Sequence, residues 1–291
     1  MTIPFLEKIT QSLSQNKIHE YSYIPQLNHP LPNIKRIKEL MDLIKTVIFP
    51  GFFDNAAITN DAAISNLKFI YSLLNEQIYN GLCFSQDCDS PQKTAEQFTI
   101  AFIEKIPELK RLLAMDVKAV YDCDPAAKNY IEVIFCYPAV QALLHYRVAH
   151  ELLLMQIPFV PRIISELAHI TTGIEIHPGA QIGEYFSIDH GTGVVIGETC
   201  IIGNHVRLYQ GVTLGAKGFI YDDNGLPLNV PRHPIIEDNV IIYSNSTILG
   251  RITIGHDSII GGNVWQVHNV PPHSRITQKK ATATFIDGLG I

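Results

Sequence analysis

The sequence has few of the features that mark secreted, metal-binding or membrane-spanning proteins. Its five cysteines are irregularly spaced and include no Cys-x-x-Cys pair, which disfavours a disulfide framework and a cysteine-based zinc site. It has no run of about 18 apolar residues, so no transmembrane helix is expected. The N-terminus also lacks the basic and apolar regions of a signal peptide. We therefore expect a cytoplasmic protein with reduced thiols, no bound metal and no membrane contact.

Positive charge is also scarce. The chain has 22 Lys and Arg against 28 Asp and Glu, which gives a net charge of −6 at pH 7. Domains that bind nucleic acid carry a basic surplus, so no nucleic acid partner is expected. The 291 residues, 46% of them hydrophobic, are instead typical of a globular protein with one large or two modest domains.

The first part of the chain, residues 1–167, has the apolar spacing of α-helices. Within residues 95–120, apolar residues recur at intervals of three or four, the period of one helix face. They are Phe98, Phe102, Ile106, Leu109, Leu113 and Val117. Pro107 lies inside this stretch and predicts a break between two helices. A further helical stretch is predicted over roughly 130–155.

From Ile170 onward the apolar period changes to six. Aliphatic residues recur six apart, with one slip of two residues and one longer gap. They are Ile170, Ile176, Ile182, Ile188, Val194, Ile196, Ile202, Leu208, Leu214, Ile236, Ile242, Ile248, Ile254 and Ile260. This hexapeptide repeat is typical of a parallel β-helix, in which three short strands form each triangular coil and the aliphatic side chains stack inside.

The two periods divide the chain into parts. We expect an α-helical domain over residues 1–167, a β-helix over residues 168–274 and a C-terminal tail over residues 275–291. The gap in the repeat, residues 216–234, is polar and contains glycine and proline. It predicts a loop extruded from the solenoid, and long loops of this kind are usually functional.

Several motifs are more specific than the repeat. The helical part contains YDCDPAAKNY and QALLHYRVAHEL, and the repeat contains IDHGTG, LYQGVTLGA and, later, PRHP. Together, over roughly residues 116–272, they resemble the serine O-acetyltransferases, a family of hexapeptide-repeat acyltransferases. The resemblance implies a left-handed β-helix. It also implies transfer of an acetyl group from the co-substrate acetyl-CoA to the hydroxyl of L-serine, the first step of cysteine biosynthesis from serine.

His190, in IDHGTG, is the candidate general base. Attack of a hydroxyl on a thioester requires removal of the hydroxyl proton, and an imidazole, with an ordinary pKa of about 6.5, suits that task. The resemblance assigns to Glu175 the orientation of His190 through the second ring nitrogen. The family often has aspartate in that position, and glutamate is one methylene longer.

The resemblance also implies a pocket for an amino-acid zwitterion. Asp124 and Asp189 match the two carboxylates that hold the serine ammonium group. Arg232 and His233 match the pair that holds the serine carboxylate and the hydroxyl side. A zwitterion requires partners of both charges, and arginine offers a carboxylate a bidentate fork.

For the pantetheine chain of CoA, the resemblance implies a groove between neighbouring solenoids. Small residues there would let a thin ligand lie against the backbone. They are Gly215, Ala216, Ser244 and Gly262. The chain departs from the family in two places: Gly215-Ala216 replaces a common glycine pair, and RITQKKATA replaces a run of small residues and proline. Lys279 and Lys280 in that segment either hold the CoA phosphates or belong to a solvated tail.

The resemblance further implies an assembly and partners. Active sites of the family form between neighbouring solenoids, so a homotrimer or a dimer of trimers is expected. L-Cysteine differs from serine only by SH in place of OH and is expected to act as a feedback inhibitor at the serine site. Ile291, the last residue, matches the isoleucine with which such enzymes bind O-acetylserine sulfhydrylase, which is therefore a candidate partner.

Three other interpretations stay open. Another hexapeptide acyltransferase, acting on a sugar, an antibiotic or homoserine, would share the solenoid and the base histidine but would not require Asp124. A γ-type carbonic anhydrase needs three histidines on adjoining faces to bind zinc, and the histidine spacing does not suggest them. A non-catalytic scaffold that restrains a partner enzyme would not need IDHGTG and RHP together.

Overall fold

The protein was analysed as a computed structural model that describes residues 3–15, 30–53, 59–85 and 89–278. In these ranges the helices are α1 (Ile3–Gln15), α2 (Ile34–Ile48), α3 (Asn60–Ser85), α4 (Pro91–Cys123), α5 (Tyr130–Cys136), α6 (Pro138–Leu154) and α7 (Val160–Thr172). Helix α1 belongs to a compact unit over residues 1–30, and the other helices belong to a second unit over residues 31–291. Of the helices in the described ranges, none has the length and hydropathy needed to cross a bilayer.

Helix α4 contradicts the predicted break at Pro107. It is one helix of 33 residues with the proline inside it. The buried stripe of Phe102, Ile106, Leu109 and Leu113 continues on both sides of the proline. Packing of this stripe into the helical core offsets the single backbone hydrogen bond that a proline cannot donate.

The predicted helical stretch over residues 130–155 is divided at Tyr137. Helix α5 ends at Cys136 and α6 begins at Pro138, and Tyr137 between them is extended, with φ −89° and ψ 118°. A residue before proline is forced out of the helical conformation, while proline itself is well suited to the first position of a helix. The break turns the Tyr137 hydroxyl toward the end of α4, where it bonds to Asp124.

After the helices, the chain forms a parallel β-solenoid of three sheets. Sheet 1 contains β1 (Glu175–Ile176), β4 (Val195–Ile196), β7 (Thr213–Gly215), β10 (Thr247–Leu249) and β13 (Trp265–Gln266). Sheet 2 contains β2 (Gln181–Ile182), β5 (Ile201–Ile202), β8 (Ile235–Ile236) and β11 (Thr253–Ile254). Sheet 3 contains β3 (Ser187–Asp189), β6 (Arg207–Tyr209), β9 (Ile241–Ile242), β12 (Ile259–Ile260) and β14 (Arg275–Ile276). The chain visits the sheets in the order 1, 2, 3, so one strand of each makes a coil.

The residues of the six-residue repeat form the interior of the solenoid. In sheet 1 the register places Ile176, Ile196, Leu214 and Ile248 directly above one another, and all four are buried. Burying each such side chain contributes roughly 1.5–3 kcal/mol, which explains why the period is so regular. The predicted fold class, a helical region followed by a parallel β-helix, is confirmed.

The repeat begins later than predicted. Ile170 lies in α7, is 80% exposed and is not part of the interior column, so its assignment to the repeat was wrong. Helix α7 continues to Thr172, past residue 167, and is capped by Gly173 at a left-handed φ of 68°. One apolar residue six positions before the first coil fits a helix as well as it fits a hexapeptide.

Side chains of the helices cap the first coil by bonding to its backbone carbonyls. The Tyr146 hydroxyl donates to the Ala180 carbonyl at 2.7 Å, and the Ser165 hydroxyl donates to the Ile176 carbonyl at 2.7 Å. Exposed carbonyls at the end of a solenoid need such partners. The helical region therefore satisfies the polar groups of the first coil.

A buried ion pair joins α4 to α6 at the same place. Arg147 donates from Nε and Nη2 to the two carboxylate oxygens of Asp116, at 2.5 and 2.8 Å, and both side chains are at least 95% buried. Arg147 also donates to the Gly183 carbonyl at 2.9 Å, and the Phe186 amide donates to Asp116 at 3.3 Å. The pair thus connects both helices to the first coil.

Candidate active site

The corner between β3 and β4 carries His190 outward. The coil from Ile176 to Ile196 is two residues longer than the next coil, and the extra residues fall in this corner. His190 has a left-handed φ of 58° and Gly191 a φ of 93°, and the His190 side chain is 71% exposed. A Cβ on Gly191 would lie 2.5 Å from Cδ1 of Ile174, so this close turn requires glycine. The slip seen in the sequence is therefore the bulge that presents the imidazole.

Two carboxylates, one from each part of the chain, lie beside His190. Asp189 ends β3, its side chain is 17% exposed, and its Oδ1 is 3.8 Å from Nε2 of His190. Asp124 follows α4 and accepts hydrogen bonds from the Tyr137 hydroxyl at 2.5 Å and from the Ala126 amide at 2.8 Å. The structure therefore brings together three of the predicted site residues.

The environment of Asp124 favours its charged form. The hydrogen bond from Tyr137, then that from the Ala126 amide, lowers the pKa of Asp124, and the nearby His190 and Arg207 lower it further. The same bond to Asp124 raises the pKa of Tyr137 to about 12, so the phenol keeps its proton. We call Asp124, Tyr137, Asp189 and His190 the first half-site.

Strand β6 adds a cation and an aromatic ring next to this half-site. Tyr209 pairs with Asp189 in the ladder between β3 and β6, and Arg207 donates to the Tyr209 hydroxyl at 3.1 Å. The Tyr209 ring stacks on Tyr243 of the next coil, with ring centroids 4.8 Å apart. These contacts hold the Arg207 and Tyr209 side chains against each other and against the next coil.

Glu175, the predicted orienter of His190, opens strand β1 and pairs with Val195. Its neighbour Ile174 packs under the His190 corner at Gly191, so Glu175 lies near the base of that corner. Within the described part of the chain, no hydrogen bond or ion pair connects Glu175 to His190. Its orienting role stays a prediction.

Arg232 and His233, at the end of the extruded loop, are fixed on the corner between sheets 1 and 2. Their amides both donate to the Thr199 hydroxyl oxygen, at 2.9 and 3.0 Å, and the Thr199 amide donates to Nδ1 of His233 at 3.0 Å. Nη2 of Arg232 pairs with the carboxylate of Glu198 at 2.6 Å. These four residues form the second half-site.

His233 is held as a neutral ring. It is 7% exposed, and burial, together with the charge of Arg232, lowers its pKa to about 4. Because Nδ1 accepts an amide proton, the ring proton is on Nε2. A Cβ on Gly197 would lie 2.1 Å from the His233 ring, so only glycine leaves room for it. His233 can therefore donate one hydrogen bond from Nε2 near neutral pH.

The two half-sites occupy opposite ends of sheet 1. The first half-site lies on the corner that joins sheet 3 to sheet 1, just before β4. The second half-site lies on the corner that joins sheet 1 to sheet 2, beyond β7. Successive corners are separated by a hexapeptide, on the order of 15–20 Å of extended chain. One molecule of serine is too short to touch both, so a single chain does not bring His190 to Arg232 and His233.

The residues predicted for CoA are divided in the same way. Gly215 ends β7 and Ala216 follows it, toward the corner of the second half-site, whereas Ser244 and Gly262 lie on the corner of the first half-site. A Cβ on Gly262 would lie 3.3 Å from the Ser244 carbonyl oxygen, so these two residues are neighbours in adjacent coils. A cavity of about 260 Å³ lies under the extruded loop. It is lined by, among others, Lys217, Phe219, Leu228, Arg232 and Arg251.

Sequence reasoning missed three residues that hold the predicted ones. Tyr137 fixes Asp124, Thr199 fixes the loop end, and Glu198 pairs with Arg232. For Tyr137 the only signal in the sequence was the following proline, which marks an extended residue. For Glu198 and Thr199 none was apparent, because their partners are 34 residues away in the chain.

Two family models match the chain. "Serine acetyltransferase, N-terminal" matches residues 61–144, and "Bacterial transferase hexapeptide (six repeats)" matches residues 233–265. The first covers much of the helical region and includes Asp124, and the second begins at His233. The two matches therefore fall on both parts of the fold.

The chain is also similar to known proteins over much or nearly all of its length. The "Serine acetyltransferase, plasmid" of Synechococcus elongatus is 43% identical over 302 aligned residues, covering 98% of this chain and 95% of the relative. The serine acetyltransferase of Bacillus licheniformis is 48% identical over 166 residues, covering 57% of this chain and 73% of the relative.

Solved structures show the same likeness. Serine acetyltransferase isoform 3 of Entamoeba histolytica, in complex with cysteine, superimposes with a TM-score of 0.74 at 31% identity, covering 97% of this chain and 94% of that one. The serine acetyltransferase of Neisseria gonorrhoeae, in complex with serine, gives 0.56 at 25% identity, with 84% and 97% covered.

Proposed function

The chain belongs to the serine acetyltransferase family and is an acyltransferase, and from this premise we propose how it acts: it transfers the acetyl group of acetyl-CoA to the hydroxyl of L-serine, with His190 as the general base. One observation carries the proposal. Asp124, from the helical region, lies beside Asp189 and His190 of the solenoid. An anionic pocket next to a base suits an acceptor that has both an ammonium group and a hydroxyl.

In the proposed reaction, Asp124 and Asp189 bind the serine ammonium group. Arg232 and neutral His233 of the second half-site bind the serine carboxylate and hold the side of the substrate that carries the hydroxyl group. Nη2 of Arg232 donates to Glu198, and Nη1 donates to Asn229 and to the Val230 carbonyl, so the substrate carboxylate would take the N–H groups that these partners leave. The two carboxylates and the arginine together reject acceptors without a zwitterion, such as sugars.

The chemical step then requires one proton transfer and one bond exchange. The His190 imidazole removes the proton of the serine hydroxyl as its oxygen attacks the thioester carbon. The carbon–sulfur bond breaks, and the imidazolium returns its proton to the departing sulfur, giving O-acetyl-L-serine and CoA. Glu175 is proposed to orient His190 and to stabilise the imidazolium. Base catalysis of this kind contributes about 10²–10⁴-fold.

Assembly follows from the separation of the half-sites. We propose that the chain forms a trimer, or a pair of trimers, in which the first half-site of one chain faces the second half-site of the next. The groove between them would also join Gly215 and Ala216 of one chain to Ser244 and Gly262 of its neighbour, along the path of CoA. The extruded loop supports this arrangement, because Phe219, Ile220 and Leu226 are 57–63% exposed in the single chain.

The central test replaces His190 by asparagine, which tolerates a left-handed backbone. We expect turnover of serine and acetyl-CoA to fall by at least about 10²-fold with an unchanged circular dichroism spectrum. His205→Asn is the matched control, since His205 is also exposed and has a φ of 57° at another corner. Near-normal turnover in the His190 variant would refute its role as base.

Acceptor specificity tests the substrate. Release of CoA is measured with serine, homoserine, a hexose and an aminoglycoside as acceptors. We expect turnover with serine to dominate and to be lost in Asp124→Asn, because the ammonium group then lacks its anionic partner. Equal turnover of a sugar acceptor, unaffected by that substitution, would favour another hexapeptide acyltransferase.

Feedback by L-cysteine is part of the proposal. Two Entamoeba histolytica relatives are described in complex with cysteine, and cysteine offers the same ammonium and carboxylate groups as serine. Asp124, Asp189 and Arg232 would therefore hold either amino acid. We expect cysteine inhibition to weaken as serine is raised; inhibition that does not respond to serine would refute a shared site.

The remaining predictions concern residues outside those the structure describes. Lys279 and Lys280, proposed for the CoA phosphates, and Ile291, proposed to bind O-acetylserine sulfhydrylase, stay predictions. Deleting Ile291 is expected to abolish that association, measured by calorimetry, and to leave acetyl transfer nearly unchanged. The cytoplasmic location and the absence of a nucleic acid partner likewise stay predictions.

A further inference from the structure

The corner between sheets 2 and 3, which belongs to neither half-site, holds three metal-ligating side chains. One ligand atom of each of His256, Asp257 and His273 lies within 4.8 Å of the other two. Nδ1 of His256 is 2.7 Å from Oδ2 of Asp257, and Nδ1 of His273 is 3.7 Å from the same oxygen. Two imidazoles and a carboxylate are a common ligand set for zinc.

The spacing fits one tetrahedral ion. With zinc–ligand bonds of about 2.0–2.2 Å, two ligands of a tetrahedral site lie about 3.3 Å apart, a value between the two distances measured here. The His256 and His273 rings are nearly perpendicular, at 87°, with centroids 4.8 Å apart. The ligand nitrogens of the two rings lie within 4.8 Å of each other, so rotation of the side chains would bring all three ligand atoms onto one ion.

The backbone of the solenoid builds this arrangement. At this corner His205, Asn239, Asp257 and His273 occupy equivalent positions in successive coils, each with a left-handed φ of 57–59°. The amide of His273 donates to the His256 carbonyl at 2.8 Å, which fixes the last coil against the one before it. Asp257 and His273 therefore project side by side, one coil apart, with His256 next to both.

Neighbouring polar groups orient the carboxylate. Nδ2 of Asn239 donates to Oδ1 of Asp257 at 3.1 Å, which leaves Oδ2 facing the two histidines. The backbone amide of His256 is held by Glu237 at 2.8 Å. Partners of this kind, which fix a ligand without touching the metal, typically contribute 10–100-fold to metal affinity.

We propose that His256, Asp257 and His273 bind a Zn²⁺ ion, with water as the fourth ligand. The side chains are 45%, 42% and 70% exposed, so the fourth position is open to solvent. The ion joins the fourth coil to the fifth and thereby holds the last coil in place. This site departs from the expectation of a metal-free protein, and it takes no part in acetyl transfer, since the corner is distinct from those of both half-sites.

Titration of the full-length protein with ZnCl₂ in a calorimeter tests the proposal. We expect one Zn²⁺ per chain at this site, with affinity reduced more than about tenfold in His256→Gln and in His273→Asn. Asn239→Gly, which keeps the left-handed backbone and removes the amide, is expected to weaken binding by about 10–100-fold. His205→Asn is the matched control, with the same corner and φ but outside the triad, and should bind zinc as the wild type does.

Two further measurements separate this site from the other histidines of the chain. Cobalt(II) in place of zinc should give intense visible absorption typical of tetrahedral coordination, absent in His256→Gln. Zinc should also raise the melting temperature of the wild type and of the control but not of His273→Asn. Circular dichroism spectra verify that the variants are folded. Equal zinc binding by the wild type and both histidine variants, or no binding by the wild type, would overturn the proposal.

Discussion

Tyr137 holds the carboxylate of Asp124 from the helical side of the first half-site. Its hydroxyl is the largest cause of the lowered pKa of Asp124. Because the proposed serine ammonium group needs an ionised Asp124, the phenol acts on the substrate through that carboxylate. It is therefore a positioning residue, and its effect should be seen in serine binding rather than in the chemical step.

Tyr137→Phe removes this hydrogen bond and little else. We expect the KM for serine to rise roughly three- to tenfold, in line with the roughly 0.5–1.5 kcal/mol that a single hydrogen bond contributes, while the KM for acetyl-CoA and kcat change little. The pKa of Asp124 should rise toward its ordinary value. As the solution is acidified, the variant should therefore lose its affinity for serine at a higher pH than the wild type does. Tyr130→Phe, at an exposed tyrosine nearby, serves as the control. A kcat that falls with an unchanged KM would contradict this role.

His233 gives the protein a specific sensitivity to acid. Its pKa falls from an ordinary 6.5 in the unfolded chain to about 4 in the native state. Between these values the unfolded chain binds the proton and the native state does not, so the free energy of unfolding decreases as pH falls below 6.5. From pH 7 to pH 5 this one group accounts for about 2 kcal/mol.

His233→Asn tests that dependence, because the asparagine oxygen can replace Nδ1 as the acceptor for Thr199. We expect the loss of stability between pH 7 and pH 5, measured by urea denaturation, to be about 2 kcal/mol smaller than in the wild type. The variant should still lose some stability at acid pH, since burial also lowers the pKa of His145 and of His177. An identical pH slope in both proteins would show that His233 binds its proton equally well in the native and unfolded states.

The residues of the site were predictable where they belong to a motif and hidden where they depend on a distant partner. His190 and Asp189 lie in the IDHGTG motif, next to the slip in the repeat, so the sequence indicates their position. The pairing of Arg232 with Glu198 depends instead on the stacking of two coils, and that of Asp124 with Tyr137 on the angle between two helices. No local pattern encodes either contact.

Among the elements, the junction of α4, α6 and the first coil depends on the buried pair Asp116–Arg147. Asp116→Asn preserves the shape but leaves the charge of Arg147 buried without its anionic partner. We expect a loss of about 3–5 kcal/mol in the free energy of unfolding, measured in urea. The double variant Asp116→Leu, Arg147→Met should lose less, because no unpaired charge is left. If Asp116→Asn has the same free energy of unfolding as the wild type, water must reach the pair.

The same elements show why periodicity predicts a solenoid better than it predicts helix ends. One buried aliphatic residue in every six is imposed by a coil that encloses its interior, so the pattern from Ile176 onward leaves little choice. The residues at which helices begin and end depend on smaller differences in free energy. At Pro107 the packing of α4 outweighs one missing hydrogen bond, whereas at Tyr137 a following proline ends α5. Ile170 fitted both periods, and its exposure on α7 decided between them.

For the whole molecule, the two half-sites predict complementation between inactive variants. His190→Asn and Arg232→Ala are each expected to be nearly inactive alone. In a trimer with sites between chains, an interface that takes His190 from one variant and Arg232 from the other is intact. Random co-assembly at equal amounts should therefore restore about one quarter of wild-type sites. Co-expressed variants, purified together through two tags, would be compared with each variant alone. No recovered activity would place the complete site within one chain.

Because the helices cap the first coil, the two ends of the solenoid differ in their resistance to opening. The strands of each described coil pair only with strands of the adjacent coils, so opening proceeds by loss of one coil at a time. At the helical end, buried bonds such as those of Tyr146, Ser165 and Arg147 oppose such opening. In the described residues of the fifth coil, only the fourth coil provides comparable support. Amide hydrogens should accordingly exchange with deuterium in a gradient, fastest around β14 and slowest around β1. Heat or denaturant would then unfold the solenoid coil by coil, starting at the end opposite the helices.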